Sequence, residues 1–241
     1  MIFTDDYIVV NGVSSDDVDI HIDTPPAPPM PQQRYTTAHT GADEDQTVPD
    51  DTYEDMEYSL DFYKFLPESY DNTAIYAYFA NAQTLQISKL PGFYFKVRRV
   101  SVVSRRVVAD GKRIDYTVTF TLAPFKYKSS NDWVSVSSGD TVKNEGTRYA
   151  RPLYKIHTQS QHLVYKNDVT LTVNGVDFEL KDLPSSADVY VDCERYIVYS
   201  GDTIMTYKSY GQFPFLAVGD NTIEISGRYT TLAIKKNERC Y

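Results

Sequence analysis

The chain has 241 residues, which is enough for two domains with separate cores, and 33 acidic against 24 basic residues give it a net charge of −9. The acidic total, together with the lack of a known reading motif, disfavours a nucleic-acid partner. No apolar run approaches the roughly twenty residues of a membrane span, and the N-terminus lacks the basic and apolar regions of a signal peptide, so we expect a soluble protein made in the cytoplasm.

The first predicted element is a half-buried strand, because apolar and polar residues alternate near the N-terminus. The apolar face is Val18, Ile20 and Ile22, and the polar face is Asp17, Asp19, His21 and Asp23. Side chains two apart on a strand rarely converge on one metal ion without ligands from elsewhere. We therefore expect a solvated or interface face and no metal site.

The segment that follows, 24-TPPAPPMPQQR-34, is dominated by proline. Its prolines are Pro25, Pro26, Pro28, Pro29 and Pro31. Proline lacks the N–H that a strand ladder needs, so the segment is predicted to leave the sheet and run extended as polyproline II. The resulting arm spans about residues 24–51 and includes the acidic patch 43–45; a loop of that length is either disordered or used for contact.

Strands and one helix follow the arm. The strand faces are Met56, Tyr58, Leu60 and Phe62 in one strand and Ile114, Tyr116, Val118, Phe120 and Leu122 in another. The second strand pairs with 92–106 as a hairpin through Asp110-Gly111. A short helix is predicted over 71–82, capped by Asp71 or Asn72, with Ile75, Tyr78, Phe79 and Ala82 on one face.

The amino-acid composition changes after Pro124, and the polar turn residues that follow predict a domain boundary near 128–145. We place the domains at 1–135 and 136–241. In the second, the turn Asn174-Gly175 predicts a type I′ hairpin, and further strands are expected at 189–193, 196–199, 222–226 and 230–234. Short strands at this spacing favour a β-sandwich. Cys193 and Cys240 are expected to be reduced thiols.

Charge is segregated along the sequence. Residues 1–71 carry −15, with Arg34 and Lys64 as their only basic residues, whereas residues 86–128 carry +8. One interpretation is that these regions form neighbouring strands of one sheet. The other is that the acidic face of one subunit meets the basic face of the next, in a head-to-tail contact that makes a ring if its rotation closes.

Nothing in the sequence indicates catalysis. There is no HExxH, CxxC, GxSxG, phosphate loop or GxGxxG, and the histidines His21, His39, His157 and His162 fit no ligand spacing. We predict no enzyme activity, no catalytic residue and no cofactor. Trp133 with nearby tyrosines could form a platform for sugar stacking, although a packing role is the better interpretation because it lies in the interdomain connection.

Four motifs carry a resemblance to a known family. They are 123-APFKY-127, 144-NEGTRYARP-152, 190-YVDCERYIVYSGD-202 and 211-GQFPFLAVGDNTIEISG-227. In this order, and after a strand and a long arm, they are similar to the distal tail proteins of long-tailed, non-contractile (siphovirus) bacteriophages. The likeness covers nearly the whole chain, and its specificity lies in the order of the motifs.

The resemblance implies an all-β fold with two β-sandwich domains: an N-terminal ring-forming domain with an extended belt arm and one short helix, and a C-terminal galectin-like sandwich. It further implies a hexameric ring that acts as a structural hub of a tail tip or baseplate and connects the tail tube to the host-recognition apparatus. The implied partners are the tail tube protein, a tail-associated fibre or lysin protein and receptor-binding proteins. The implied location is the virion tail tip, after assembly in the host cytoplasm.

The belt of the family wraps the neighbouring subunit, which gives the prolines a use, because a preformed extended chain loses less entropy on docking. The expected interface residues are those of the arm and of the basic strands. They are Pro25, Pro26, Pro28, Pro29, Pro31, Arg34 and Tyr35, and Arg98, Arg99, Arg105 and Arg106.

Two departures limit what the resemblance implies. Where the family's belt often has a Gly-Arg-Asp-Gly turn, this chain has 41-GADED-45, and no evident His, Asn, Arg and Trp constellation supports a lectin activity. Residues 229–241 could complete either domain. The alternative function is a monomeric carbohydrate-binding accessory module.

Overall fold

The protein's structure, a computed structural model, describes residues 6–38, 46–65, 73–108, 112–160 and 166–241. These residues form β-strands with one α-helix and short 3-10 turns, which confirms the all-β prediction. The acidic patch 43–45, the helix caps 71–72, the turn 110–111, His39 and His162 lie outside this description. Within it, no helix is long and apolar enough to cross a membrane.

The elements are numbered in chain order. The strands are β1 Ile8–Val10, β2 Val13–Ser14, β3 His21–Ile22, β4 Gln33–Ala38, β5 Gln46–Tyr53, β6 Met56–Phe65, β7 Thr84–Ile87, β8 Phe93–Val108, β9 Arg113–Lys128, β10 Val134–Val136, β11 Asp140–Asn144, β12 Leu153–Thr158, β13 Asn167–Val173, β14 Val176–Leu183, β15 Asp188–Asp192, β16 Ile197–Ser200, β17 Thr203–Ile204, β18 Ser209–Gly211, β19 Gly219–Gly227, β20 Tyr229–Lys235 and β21 Arg239–Cys240. The helix α1 is Thr73–Ala80.

The chain divides into two compact units. Unit 1 is Met1–Ser129 together with Tyr241, and unit 2 is Ser130–Cys240. The boundary expected between residues 135 and 136 falls inside β10, which pairs with β20 in unit 2. Of residues 229–241, which could complete either domain, β20 lies in a sheet of unit 2 and Tyr241 is grouped with unit 1.

Unit 1 is organised around one sheet with the strand order β2-β1-β7-β8-β9-β6-β3. The predicted hairpin is present as β8 and β9, which pair antiparallel along most of their length. The alternation expected in β6 and β9 is confirmed, since the apolar positions of both strands are buried. Helix α1 covers this face: the Phe79 ring lies 5.2 Å from Phe62 and 6.0 Å from Phe120.

The strand predicted around Val18 is largely a turn. Asp16–Val18 is a 3-10 helix, Asp19 has φ of 55°, and only His21–Ile22 is a strand. The backbone N–H groups of Val18 and Ile20 both donate to the Ser15 carbonyl, at 3.3 and 3.0 Å, which closes the turn. Ile20 is still buried, so the apolar alternation correctly predicts its place in the core. The backbone conformation, in contrast, is set by the local hydrogen bonds of the turn and by the left-handed Asp19.

Unit 2 has two sheets, with the orders β10-β20-β12-β15-β16-β17 and β11-β19-β13-β14-β18. Their inward residues form one core, to which Tyr154 and Val191 contribute from one sheet and Leu171 from the other. The sandwich prediction for this half is confirmed. The β13–β14 turn is of the predicted type I′ kind, because Asn174 and Gly175 have positive φ angles of 51° and 79°.

Candidate subunit interface

The proline segment, residues 24–32, lies without strand pairing, as expected of polyproline, but it contacts its own unit. Pro25 is buried. The Tyr58 hydroxyl donates to the Pro26 carbonyl at 2.7 Å, and burial raises the pKa of Tyr58 to about 12. The hydroxyl therefore stays protonated, and the start of the arm is held to β6 of its own subunit.

An apolar groove of about 280 Å³ follows along the same segment. Pro28, Pro29 and Pro31 line one side of it, and Met56 and Tyr241 are among the residues on the other. The expected place of these prolines in a subunit interface stays a prediction, and in this structure they line a groove of their own unit. No local pattern predicts this groove, because its lining residues lie far apart along the chain.

The root of the arm is closed by backbone and ring contacts. The Glu54 N–H donates to the Gln32 carbonyl at 2.9 Å. The Tyr53 ring lies edge-on to Phe125 at 5.0 Å, and its hydroxyl is 2.9 Å from that of Tyr241. These contacts fix the position from which the rest of the arm leaves the unit.

Beyond this root the arm is a two-stranded ribbon, not a structureless loop. β4 and β5 pair with each other, and in the described part of the chain they pair with no other strand. Arg34 and Tyr35, two of the predicted interface residues, lie exposed on β4, and Tyr35 and Val48 are 60% and 51% exposed. A two-stranded ribbon alone is at best marginally stable in water.

The four predicted arginines, Arg98, Arg99, Arg105 and Arg106, all lie exposed on β8, but they do not form one patch. Arg105 stands opposite Tyr116 and Arg106 opposite Asp115 on β9, so these two point to opposite faces of the sheet. The four arginines therefore share a strand but not a face of the sheet.

The sheet of unit 1 places acidic and basic strands close together, as in the interpretation that the two charged regions form neighbouring strands of one sheet. Glu57 on β6 and Arg99 on β8 both stand opposite Thr121 of β9, so acidic and basic strands flank a threonine-rich strand. Thr117 donates to Asp61 at 2.7 Å on the same polar face. This pairing uses only part of the charge, because Arg99 and Glu57 both remain exposed.

Three of the four motifs behind the family resemblance lie in unit 2, whereas 123–127 lies in β9 of unit 1. The Cys193 thiol lies 3.2 Å from the Pro214 carbonyl, and burial raises its pKa well above the usual value. Asp192 accepts the backbone N–H groups of Glu194 and Arg195 at 3.0 and 3.1 Å, which forms the adjoining turn. Cys193 and Cys240 are both buried free thiols.

Asn221, in another of these motifs, is fully buried. Its Oδ1 accepts the Ala217 N–H at 2.7 Å and the Asn174 side-chain amide at 2.8 Å. Its Nδ2 donates to the carbonyls of Ala217 and Gly219 at 2.9 and 2.8 Å. These motif residues hold loops in place, and nothing in their chemistry points to catalysis.

The outer face of the β12–β15–β16 sheet carries an aromatic row. Trp133 lies 6.2 Å from Tyr190, which stacks on Tyr199 at 5.1 Å. Nearby, the carboxylate of Asp188 contacts His157 Nδ1 at 2.7 Å and a lysine on the same face, and these contacts lower its pKa. The rings face one another and the carboxylate is paired, so the row is a packing arrangement across strands.

The predicted acidic face near Asp19 offers no ligand set. Asp19 forms an ion pair with Lys64 at 3.2 Å and lies 3.6 Å from His21. Across the residues that the structure describes, no group of three or more His, Cys, Asp or Glu side chains is placed to hold a metal ion.

Comparison with known proteins adds one clear likeness. No family model and no curated protein sequence matches the chain. Among solved structures, it is similar to the Dit protein of SPP1 with a TM-score of 0.66 and 11% sequence identity, over 96% of this chain and 99% of that one. That protein is described as a paradigm of the hub adsorption apparatus in phages that infect Gram-positive bacteria. The chain therefore shares its fold over nearly the full length of both.

Proposed function

We propose that this protein is a structural hub of a phage tail tip, in which six copies form a ring between the tail tube and the host-recognition apparatus. The observation that carries the proposal is the whole-chain likeness to SPP1 Dit, a hub adsorption protein, because both units match and not one common sandwich alone. A fold does not fix a function by itself. The second support is therefore the ribbon.

The ribbon is an element whose stability calls for a partner. Tyr35 and Val48 stay exposed on it, although the root of the arm is packed against unit 1. A rigid root with an unpartnered projection fits a head-to-tail contact, in which each subunit donates an arm and receives one. Such contacts make a ring when their rotation closes, and the tail tube and fibre proteins would then dock on the two faces of the ring.

The test is the mass of the purified protein at high concentration, by light scattering and negative-stain imaging. We expect rings of about 165 kDa, six times the 27.5 kDa chain. A matched variant removes residues 34–52 and joins Gln33 to Tyr53, which are paired in the ribbon, through Asn-Gly. This variant should fold and remain monomeric, because its root contacts are kept.

The proposal is contradicted if the intact protein stays monomeric at all concentrations, both alone and with tail tube protein. A monomer that binds glycans on an array would favour the alternative, a carbohydrate-binding module. Trp133, which is 39% exposed at the end of the aromatic row, is the feature that favours this second candidate. Replacing Trp133 with alanine should then abolish glycan binding, whereas ring formation should be unaffected.

A further inference from the structure

Two tyrosine side chains of unit 1 meet edge to edge. The hydroxyl of Tyr53, the last residue of β5, lies 2.9 Å from the hydroxyl of Tyr241, which is a hydrogen-bond distance. The two ring centroids are 5.8 Å apart and the ring planes are inclined at 56°. In a phenol, the ortho carbons are bonded to the carbon that carries the hydroxyl. Contact between the two hydroxyls therefore brings ortho positions of the two rings close together.

Neighbouring groups hold this pair in place, and one of its rings is open to solvent. The Phe125 ring packs edge-on against both tyrosines, with centroids 5.0 Å from Tyr53 and 5.7 Å from Tyr241. The Lys126 ammonium group donates to the main-chain oxygen of Tyr241. The Tyr241 side chain is nevertheless 39% exposed, so an oxidant in solution can reach it. Two reactive groups held in this way combine far more readily than groups that must first diffuse together.

Two other tyrosine pairs have a different geometry. Tyr94 and Tyr127 stack at 5.4 Å with an interplanar angle of 24°. Tyr190 and Tyr199 stack at 5.1 Å with an angle of 12°. In a stacked pair the faces of the rings meet, whereas a carbon–carbon bond between two aromatic rings joins their edges. Proximity alone is therefore common to the three pairs, and the edge contact distinguishes the first.

We propose that Tyr53 and Tyr241 form a site of oxidative cross-linking, at which a peroxidase with hydrogen peroxide joins the two rings as dityrosine. Each phenol gives one electron to the oxidant and one proton to water, which leaves two phenoxyl radicals. The radicals combine through a bond between their ortho carbons. The hydrogen of each of these carbons then moves to the oxygen of its own ring, so both hydroxyls are restored. The two electrons and two protons reduce one hydrogen peroxide to two waters.

The cross-link would fasten the root of the arm covalently to its own unit. Both residues belong to unit 1, so the inference stands independently of the proposed ring. Joining residues this far apart along the chain closes a long loop in the unfolded state and lowers the entropy of that state. The oxidised protein should therefore unfold at a higher urea concentration than the untreated protein.

The test is treatment of the dilute full chain with a peroxidase and limiting hydrogen peroxide, followed by trypsin digestion and mass spectrometry. We expect a linked peptide pair that contains Tyr53 and Tyr241, and a yield that does not change with protein concentration. Tyr53→Phe and Tyr241→Phe keep the ring packing and should each lose this peptide pair. Tyr199→Phe, which removes one hydroxyl of a stacked pair in unit 2, is the matched control and should give the wild-type yield.

A second measurement on the unaltered chain removes any dependence on how the variants fold. In urea that unfolds the protein, the yield of the linked peptides should fall, because the two hydroxyls are then no longer held together. An equal yield in urea, or a link found only between two chains, would overturn the inference. Absence of the link in the folded protein, while free tyrosine in the same mixture is coupled, would overturn it as well.

Discussion

The buried amide of Asn221 gives the sharpest test of how unit 2 is held together. Asn221→Ala would remove the acceptor of the Ala217 N–H and the Asn174 amide, and the donor to the carbonyls of Ala217 and Gly219. A net hydrogen bond contributes about 1 kcal/mol, and each buried group left unpaired costs about 1–3 kcal/mol. Because some of the freed groups can rotate toward water, we expect a loss of about 3 kcal/mol in the free energy of unfolding.

Urea denaturation, read by hydrogen exchange within β19, reports this loss for unit 2. At about 4 °C per kcal/mol for a unit of this size, the melting temperature should fall by roughly 12 °C. Glu224→Gln, at an exposed position of the same strand, is the matched control and should change stability by less than about 0.5 kcal/mol. If Asn221→Ala were as stable as this control, the amide network would not be what holds the loops around Asn221.

Two further variants test local packing. Gly146→Ala would place a Cβ 2.4 Å from the Arg239 carbonyl oxygen, so we expect a loss of about 2 kcal/mol in urea denaturation, and an unchanged midpoint would contradict the close approach. Tyr58→Phe loses the bond to the Pro26 carbonyl, about 1 kcal/mol, and should accelerate trypsin cleavage after Arg34; an equal cleavage rate would mean that the arm is not held there.

Much of the fold could be predicted from the sequence because period-two alternation survives in most strands. This pattern alone predicts a buried face with Tyr116 and Phe120, and both are buried. The pattern failed near Val18, where a left-handed Asp19 and a shared Ser15 carbonyl turned the chain within three residues. Alternation reports which side chains are buried, and it reports backbone geometry only indirectly.

The candidate interface was harder to predict, for a different physical reason. A ribbon with both faces exposed, such as β4 with Tyr35 and Thr36, has no core side, so it shows no apolar alternation. The pairing of β8 with β7 stops after Lys96 because of where β7 ends, which no local pattern of β8 encodes. The packing of the prolines against Met56 and Tyr241 depends on contacts between distant segments. Only the absence of strand pairing at the prolines can be predicted from the local sequence, because it follows from proline itself.

The position of the prolines bears on why assembly would run in one direction. β3 pairs with β6 only at Phe62 and Tyr63, so the rest of that edge lies beside the proline segment, which contacts Met56 and Tyr58 and has few N–H groups to offer a further strand. One edge of the sheet is thereby blunted, while residues 98–108 are left open. One blunted edge supports the proposed head-to-tail contact over a symmetric pairing of two such edges, and a head-to-tail contact makes a ring if its rotation closes.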